Sequence, residues 1–254
     1  MNKINVVDNK IIPFDNTDVI LNNNIITFTN NGDYYLEYIT SNNVNITINV
    51  EDNVCVQLFE YSNNNDINTN ITYNLGKNSS LIISKFYYND NTNEEINIYL
   101  NKKNANIKYN FSSISKNHDN YLINIYHNDS TTSSDIFNRT IAKENSSNNF
   151  DINSYVENKI LDCYLNQSTK IITLGDSNNK INPNMFTHDN SVTAIHASVI
   201  GNVNEEELFY LMSRGISYNE AIKIIMKGII LSNINPNMEY REKILNILEE
   251  VGGE

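Results

Sequence analysis

The chain has 254 residues, a mass of 29.1 kDa and a formal net charge of −12 at pH 7. Its positive residues are scattered, so a surface that tracks nucleic-acid phosphates is not expected. No stretch approaches the roughly 18 apolar residues of a membrane span, and residues 1–14 lack a signal-peptide pattern. Cys55 and Cys163 have no CxxC partner, which argues against a disulfide framework or a zinc site. We therefore expect a cytoplasmic protein.

Residues 1 to about 203 are predicted to form short strands rich in β-branched and aromatic residues. Residues 44–50 (VNITINV) alternate apolar and polar side chains, as half-buried strands do, and residues 19–29 are predicted as one strand. Clusters rich in Asn and Asp separate the strands. With only 8 Gly and 3 Pro in the chain, Asn is expected to replace Gly at turns, because it tolerates the left-handed conformation.

Short strands that recur roughly every 8–12 residues favour a sandwich, a barrel or a solenoid. A strand pattern maintained over roughly 200 residues without a helix fits stacked β-coils. No fixed sequence period is visible, so periodicity alone does not select the solenoid.

The pattern changes at Asn204, which is followed by three glutamates. This is typical of a helix start with an acidic first turn, and Gly215 is a natural stop for that helix. Ser217 and Glu220 form a second capping box, and a third helix is expected to open at Asn235–Pro236. One apolar face is predicted for the second helix, formed by Ala221, Ile224, Ile225 and Ile229. Covering the open end of the stacked strands is one expected role of these helices.

Residues 181–230 contain an ordered set of short motifs. In chain order they are Pro183, Asp189, Val192, His196, Gly201, Glu205 to Glu207, Leu208-Phe209-Tyr210-Leu211, Ser213-Arg214-Gly215, Ile216-Ser217, Glu220-Ala221 and Gly228. Together they resemble the C-terminal signature of the SufB/SufD family of iron–sulfur cluster assembly scaffolds. Weaker similarity extends upstream, where His127 and the strands that follow it resemble the family's His-strand-strand pattern. Roughly the first 110 residues show only a generic β pattern, without the longer helical N-terminal region that is usual in the family.

The resemblance implies a mainly β protein, with a right-handed parallel β-helix over residues 1–203 and a C-terminal helical region over 204–254. It also implies a non-catalytic subunit of a complex of SufB, SufC and SufD, in which the SufC ATPase binds the helical region. The β-helices of SufB and SufD pair, and an iron–sulfur cluster forms transiently near that junction. The chain has no GxxxxGK[ST] loop, so nucleotide binding is assigned to SufC. The residues expected to contact SufC are Leu208, Phe209, Tyr210, Arg214, Gly215, Ile224 and Ile225.

The residues around His196 favour a SufD-like chain over a SufB-like one. SufB-type chains have Glu after this His, whereas Ala197 follows here. One coil upstream, where SufB carries a cysteine, counting back places residues 168–169, which are hydroxyls and poor ligands for iron–sulfur chemistry. Ala194 occupies the position where SufD-type chains often have Cys. His196 is therefore the candidate metal or cluster ligand, with an ordinary hydrogen-bonded histidine as the alternative.

Three further residues are weaker candidates for a functional role. His127 and His188 are weaker candidates for ligation than His196. Arg214 is better explained as a cation at a helix C-terminus than as a partner contact, because it offsets the helix dipole there.

The sequence leaves two other functions open. One is a homomeric scaffold that acts with SufC alone. The other is a β-helix polysaccharide-active protein, which would need carboxylates along a groove with aromatic platforms. Glu94, Glu95 and Asp151 are available for such a groove.

Overall fold

The computed structural model describes residues 2–7, 9–12, 18–39 and 43–252. The strands in these ranges are β1 (Asn2–Val7), β2 (Lys10–Ile11), β3 (Val19–Asn22), β4 (Ile25–Phe28), β5 (Gly32–Ile39), β6 (Asn43–Val50), β7 (Cys55–Ser62), β8 (Asp66–Leu75), β9 (Ser80–Tyr87), β10 (Asn91–Leu100), β11 (Asn106–Ser115), β12 (His118–His127), β13 (Ser133–Ala142), β14 (Ser147–Val156), β15 (Tyr164–Thr173), β16 (Asn178–Phe186) and β17 (Thr193–Asn202). The helices are α1 (Glu205–Ser213), α2 (Tyr218–Asn233) and α3 (Met238–Val251).

From β5 onward the chain alternates between two sheets, and from β6 onward each strand pairs in parallel with the strand two positions earlier. The nine-stranded sheet has the order β17-β15-β13-β11-β9-β7-β5-β1-β2, and the eight-stranded sheet has the order β16-β14-β12-β10-β8-β6-β4-β3. Asn91 lies beside Asp66 of the preceding coil, and Tyr164 lies beside Ser133 in the same way. The predicted parallel β-helix is confirmed.

The N-terminal end departs from the parallel pattern. Two antiparallel hairpins, β1–β2 and β3–β4, lie there. The prediction of one strand over residues 19–29 is wrong, because the chain turns at Asn23, which has a positive φ of 52°. Asn tolerates this backbone conformation, so a two-residue turn forms inside an otherwise strand-like stretch.

Identical side chains stack from coil to coil inside the β-helix. In the eight-stranded sheet, one column consists of Ile46, Ile71, Ile96, Ile123 and Ile152, each at most 1% exposed. Burying one such side chain stabilises the fold by about 1.5–3 kcal/mol relative to leaving it exposed. The alternation of apolar and polar residues in each strand therefore fixes which face points into the core.

Asparagines form similar ladders at the turns and on the outer surface. Asn53, Asn78 and Asn104 have φ values of 63°, 52° and 61°. The Asn78 amide donates to Asn53 Oδ1 at 2.9 Å, and the Asn104 amide donates to Asn78 Oδ1 at 2.9 Å. Asn thus takes the left-handed turn position and also bonds to the next coil, which accounts for its use at these turns.

The helix starts follow the predicted capping chemistry in two of three cases. Asn204 accepts hydrogen bonds from the backbone N–H groups of Glu206 and Glu207, and Ser217 accepts one from Glu220. The third start lies further along the chain than predicted: Asn237 is the N-cap and accepts from the N–H of Tyr240 at 3.0 Å. The residues 235–236 predicted as the start therefore lie before the helix.

The helical region packs along the outer face of the nine-stranded sheet. Tyr240 is fully buried there, with ring centroids 5.8, 5.1 and 5.3 Å from Tyr35, Phe59 and Tyr61. The predicted apolar face of α2 is rotated, since Ile224 is 44% exposed. The buried residues of α2 are Ala221, Ile222, Ile225, Met226 and Ile230. In the described part of the chain, no helix is long and apolar enough to cross a membrane.

Candidate functional site at the last coil and the terminal helices

The last coil of the β-helix is open on its C-terminal side. In the described ranges, β17 pairs only with β15 and β16 only with β14, so each is the terminal strand of its sheet. Ile195, Val199 and Ile200 are 49%, 52% and 46% exposed. A long edge strand with exposed apolar side chains is a template for pairing with another chain.

The two terminal strands are not equivalent as pairing edges. β16 contains Pro183, which has no N–H to donate to an added strand. β17 contains no proline over its ten residues. Its backbone is therefore the better template for a further strand.

His196 lies in the middle of β17, at an inward-facing position. It is in register with Gln167 of β15, which is buried and donates to Ser154 Oγ at 2.8 Å. The His196 side chain is exposed at the uncovered edge, and it makes no hydrogen bond to any residue that the structure describes. The register places Gln167 beside His196 and Ser168 beside Ala197, so the count that gives residues 168–169 one coil upstream lies one residue beyond the neighbour of His196.

The other candidate ligands lie elsewhere. His127 is buried, with Nδ1 2.8 Å from Thr132 Oγ1 and Nε2 3.0 Å from Ser134 Oγ. Burial lowers its pKa to about 4, so it is neutral near pH 7. His188 is exposed in the segment after β16. Within the described residues, no group of three His, Cys, Asp or Glu side chains is placed to hold a metal ion.

The cysteines are separate free thiols. Cys55 is exposed and Cys163 is buried, with its Sγ 3.3 Å from Thr132 Oγ1. Cys163 precedes β15, and its carbonyl accepts from the N–H of Thr193 at 2.9 Å. It thus lies near the beginning of the last coil but not in register with His196.

Helix α1 presents most of its apolar side chains to solvent. None of its residues is buried, and Phe209 and Tyr210 are 75% and 57% exposed. Leu208 is partly buried against the apolar cluster between the helices and the sheet. Arg214 is the C-cap residue with its guanidinium 5.3 Å from the Tyr210 ring, and Gly215 has φ +85°, which a side chain rarely adopts. Exposed aromatic residues on a short helix are typical of a docking surface.

A groove of about 890 Å³ runs between α1, α2 and the end of β17. Tyr210, Ile224 and Ile225 line it, together with Leu211 and Val199. The structure therefore brings together three of the seven residues expected to contact an ATPase. Leu208, Phe209, Arg214 and Gly215 are not among the residues that line it, and Phe209 projects into solvent.

Comparisons with known proteins identify the family. A family model for the SUF system FeS cluster assembly, SufBD core domain, matches residues 19–229. The chain belongs to the SufB/SufD family. The match includes the last coil, α1 and most of α2, so the open edge and the groove lie on the family's core domain. Members of this family take part in iron–sulfur cluster assembly, and the resemblance found in the sequence is confirmed.

Two relatives of this SufB/SufD protein extend the comparison. The chain is 25% identical over 134 residues to the iron-sulfur cluster assembly protein SufD of Bacillus subtilis (strain 168), covering 52% of this chain and 31% of that protein. It is 54% identical over 35 residues to an iron-sulfur cluster assembly SufBD family protein of Pyrococcus horikoshii, covering 14% of this chain and 8% of that protein. The chain thus matches less than a third of the length of either relative.

Proposed function

We propose that the chain is a non-catalytic, SufD-like subunit of an iron–sulfur cluster assembly scaffold that works in the cytoplasm. In this proposal it pairs with a SufB-like subunit through β17 and binds a SufC-like ABC ATPase through its terminal helices. The observation that carries the proposal is the combination of an exposed, proline-free edge strand and an exposed aromatic helix on one SufBD core domain.

The pairing surface follows from the edge position of β17. A strand added beside it would bond to the outward N–H and C=O groups of that edge. It would also cover Ile195, Val199 and Ile200, whose side chains are about half exposed. Removing this apolar surface from water contributes a favourable free energy of about 25 cal/mol for each Å² buried, from which the costs of association are subtracted.

The ATPase surface combines α1 with the groove beside α2. Phe209 and Tyr210 are large exposed aromatic side chains, and aromatic residues are enriched at the energetic centres of protein interfaces. Arg214 lies beside Tyr210 and adds a cation at the rim of the surface. Nucleotide binding and hydrolysis belong to the ATPase in this proposal, and nucleic acid has no role.

His196 is proposed to assist the cluster at the junction with the SufB-like subunit. Its imidazole is exposed at the edge that the partner covers, and neutral imidazole can bind iron. Soft thiolate ligands suit iron–sulfur clusters best, and β17 contains no cysteine. In this proposal the thiolates come from the SufB-like partner, and the cluster is a transient product.

A second copy of this chain is the alternative partner for β17, because the same edge could pair with itself. The polysaccharide alternative receives less support from the structure. Glu94, one of its candidate carboxylates, is buried inside the β-helix with its Oε1 2.5 Å from Lys85 Nζ. A carboxylate in that position does not line an outer groove.

Selective interface variants test the proposal. The tagged chain is co-expressed with a SufB-like chain and a SufC-like ATPase. Ile195→Lys places a charge on β17 outside the groove assigned to the ATPase, and it is expected to release the SufB-like chain while the ATPase is retained. Phe209→Ala combined with Tyr210→Ala is expected to release the ATPase and retain the SufB-like chain. Retention of both partners by both variants would refute the assigned surfaces, and recovery of a homodimer with the ATPase alone would support the homomeric alternative.

A further inference from the structure

A second cleft, of about 540 Å³, lies between the nine-stranded sheet and the connection from α2 to α3. Its floor contains Lys108 and Asn110 of β11 and Phe137 and Arg139 of β13, and Asn233 lies on the helical side. A volume of this size falls within the range of about 300–1,000 Å³ found for small-molecule sites.

Arg139 stands at one end of this cleft. Its Nη1 donates to the carbonyls of Asn138 at 2.8 Å and Ser168 at 3.1 Å, and its Nη2 donates to Ser168 Oγ at 3.3 Å. A guanidinium has five N–H donors, so Nε–H and the second N–H of Nη2 make no hydrogen bond to the described residues. Free guanidinium N–H groups of this kind bind oxyanions, often in a bidentate manner.

The charge of Arg139 is not balanced by a carboxylate in the described ranges. Burial lowers its pKa, as expected for a cation that has lost water without gaining an anion. Other cations under the helices or in the core are paired: Lys243 contacts Glu37 at 3.1 Å, and Lys85 contacts Glu94 at 2.5 Å. Arg139 differs from both because no carboxylate of the described residues pairs with it, although the protein has a net charge of −12.

Asn110 lies in the middle of the cleft floor. It is only 8% exposed, and its side-chain amide makes no hydrogen bond to any residue that the structure describes. Buried polar side chains almost always have a partner, so an amide left unpaired on the wall of a cleft indicates a ligand or ordered solvent.

Lys108 marks the other end of the cleft, with its Nζ 5.9 Å from the centroid of the Phe137 ring. Asp135 is its neighbour on the ladder, but that carboxylate accepts a hydrogen bond from Asn166 at 2.9 Å and forms no ion pair with Lys108. Asp33 also lines the cleft, so two cations face one carboxylate among the described lining residues.

We propose that this cleft binds a small organic oxyanion, a phosphate or carboxylate held by the free N–H groups of Arg139, with an apolar body lying against Phe137. Asn110 supplies a hydrogen bond to the same ligand, and Lys108 adds attraction at the mouth. Arg139 also lines the neighbouring groove beside α1, together with Lys170, but Glu206 and Glu207 offset the two cations there, whereas the cleft has Lys108 and Arg139 against Asp33 alone among its described lining residues. The proposal is independent of the proposed scaffold role.

Calorimetric titration of the whole chain tests the proposal with three probes: phenyl phosphate, benzoate and inorganic phosphate. Phenyl phosphate or benzoate is expected to bind more tightly than inorganic phosphate, because only they can contact Phe137. Which of the two binds more tightly identifies the phosphate or the carboxylate as the preferred group. Failure of all three to bind at about 10 mM, corresponding to less than about 2.7 kcal/mol of binding free energy, would overturn the proposal.

Matched variants locate the binding. Arg139→Gln is expected to weaken binding of the better probe at least tenfold, a loss of about 1.4 kcal/mol. Lys170→Gln removes a cation from the adjacent position on β15, outside this cleft, and is expected to leave binding within twofold. Asn110→Ala serves as a second cleft variant should Arg139→Gln unfold. Equal losses in the cleft variants and in Lys170→Gln would refute a specific site.

Discussion

The buried ion cluster inside the β-helix gives a sharp test of the packing. Lys85 and Glu94 have fully buried side chains with Nζ 2.5 Å from Oε1, and Glu60 Oε2 lies 3.3 Å from the same Nζ. Tyr38 donates to Glu60 at 3.0 Å, and Tyr87 donates to Glu94 at 3.1 Å. Lys85→Met keeps most of the length of the side chain but leaves two carboxylates in the core without a cation.

Removing one partner of a buried ion pair costs about 3–5 kcal/mol, because the remaining charge stays buried. We expect Lys85→Met to lie at the upper end of that range, since one lysine serves two carboxylates. Typical domains are stable by about 5–15 kcal/mol, so the loss removes a large part of the total. Urea unfolding at pH 7 measures it as a shift of the midpoint at constant slope.

Lys102→Met is the matched control, because Lys102 pairs with Asp52 at 3.1 Å on the surface, where both side chains are about half exposed. Its unfolding midpoint should change little, since exposed pairs contribute little. Adding Glu60→Gln and Glu94→Gln to Lys85→Met should recover part of the lost stability by removing the unpaired charges. A midpoint for Lys85→Met equal to that of the control, or no recovery in the triple variant, would show that the cluster is not held as described.

Other contacts give four more predictions. Burial raises the pKa of Asp119 to about 6, above its usual value of about 3.9. Between these two pH values the folded state keeps a proton that the unfolded chain releases. The free energy of unfolding therefore falls as the pH rises from about 4 to about 6. Asp119→Asn should therefore stabilise the fold by about 1–3 kcal/mol at pH 7.5 and have almost no effect at pH 4, as followed by thermal unfolding at the two pH values; equal effects at both would contradict the assignment. At Asn78, substitution by Ala should cost more stability than substitution by Gly, because Gly adopts the φ of 52° with less strain than Ala does. Denaturant midpoints that rank the two variants in the opposite order would contradict this. His196→Ala should change the melting temperature of the subunit by no more than a few degrees, because the side chain is exposed and makes no hydrogen bond to the described residues. The iron and sulfide bound by the reconstituted complex should fall, and an unchanged cluster yield would remove His196 from the site. Phe209→Ala should weaken ATPase binding at least tenfold, about 1.4 kcal/mol, in a titration and leave the fold unchanged, because this side chain is 75% exposed; an unchanged affinity would place the ATPase elsewhere.

Local chemistry made much of the fold predictable. The helix starts at Asn204 and Ser217 depend on one cap side chain and the backbone N–H groups two or three residues after it, and the structure shows these caps. The replacement of Gly by Asn at turns was also predictable, because it depends on the backbone preference of single residues, as at Asn53 and Asn104. The coil stacking is not visible as a sequence period, because the coils differ in length. The step along the chain from Ser133 to its neighbour Tyr164 is longer than the step from Asp66 to its neighbour Asn91.

The parts that sequence reasoning missed depend on long-range packing. The buried face of α2 is set by the outer surface of the sheet, which the sequence of the helix alone does not contain, and this leaves Ile224 exposed. The helices were expected to cover the open end of the β-helix, but they pack along its side, so β17 stays uncovered. The cleft at Arg139 joins two strands and a helix connection, and Arg139 carries no local motif. A half-buried arginine can be recognised as unpaired only when its neighbours in space are known.

The most direct test of the central claim is the yield of iron–sulfur cluster on a complex reconstituted from this chain, a SufB-like chain and a SufC-like ATPase, compared with the same mixture lacking this chain. The bound iron and acid-labile sulfide are measured after gel filtration in the absence of oxygen. If the chain is a scaffold subunit, the cluster should co-elute with a complex that contains it, and the yield should fall several-fold without it. An equal yield without the chain, or a chain that elutes alone under all conditions, would contradict the assignment of this protein as a scaffold subunit.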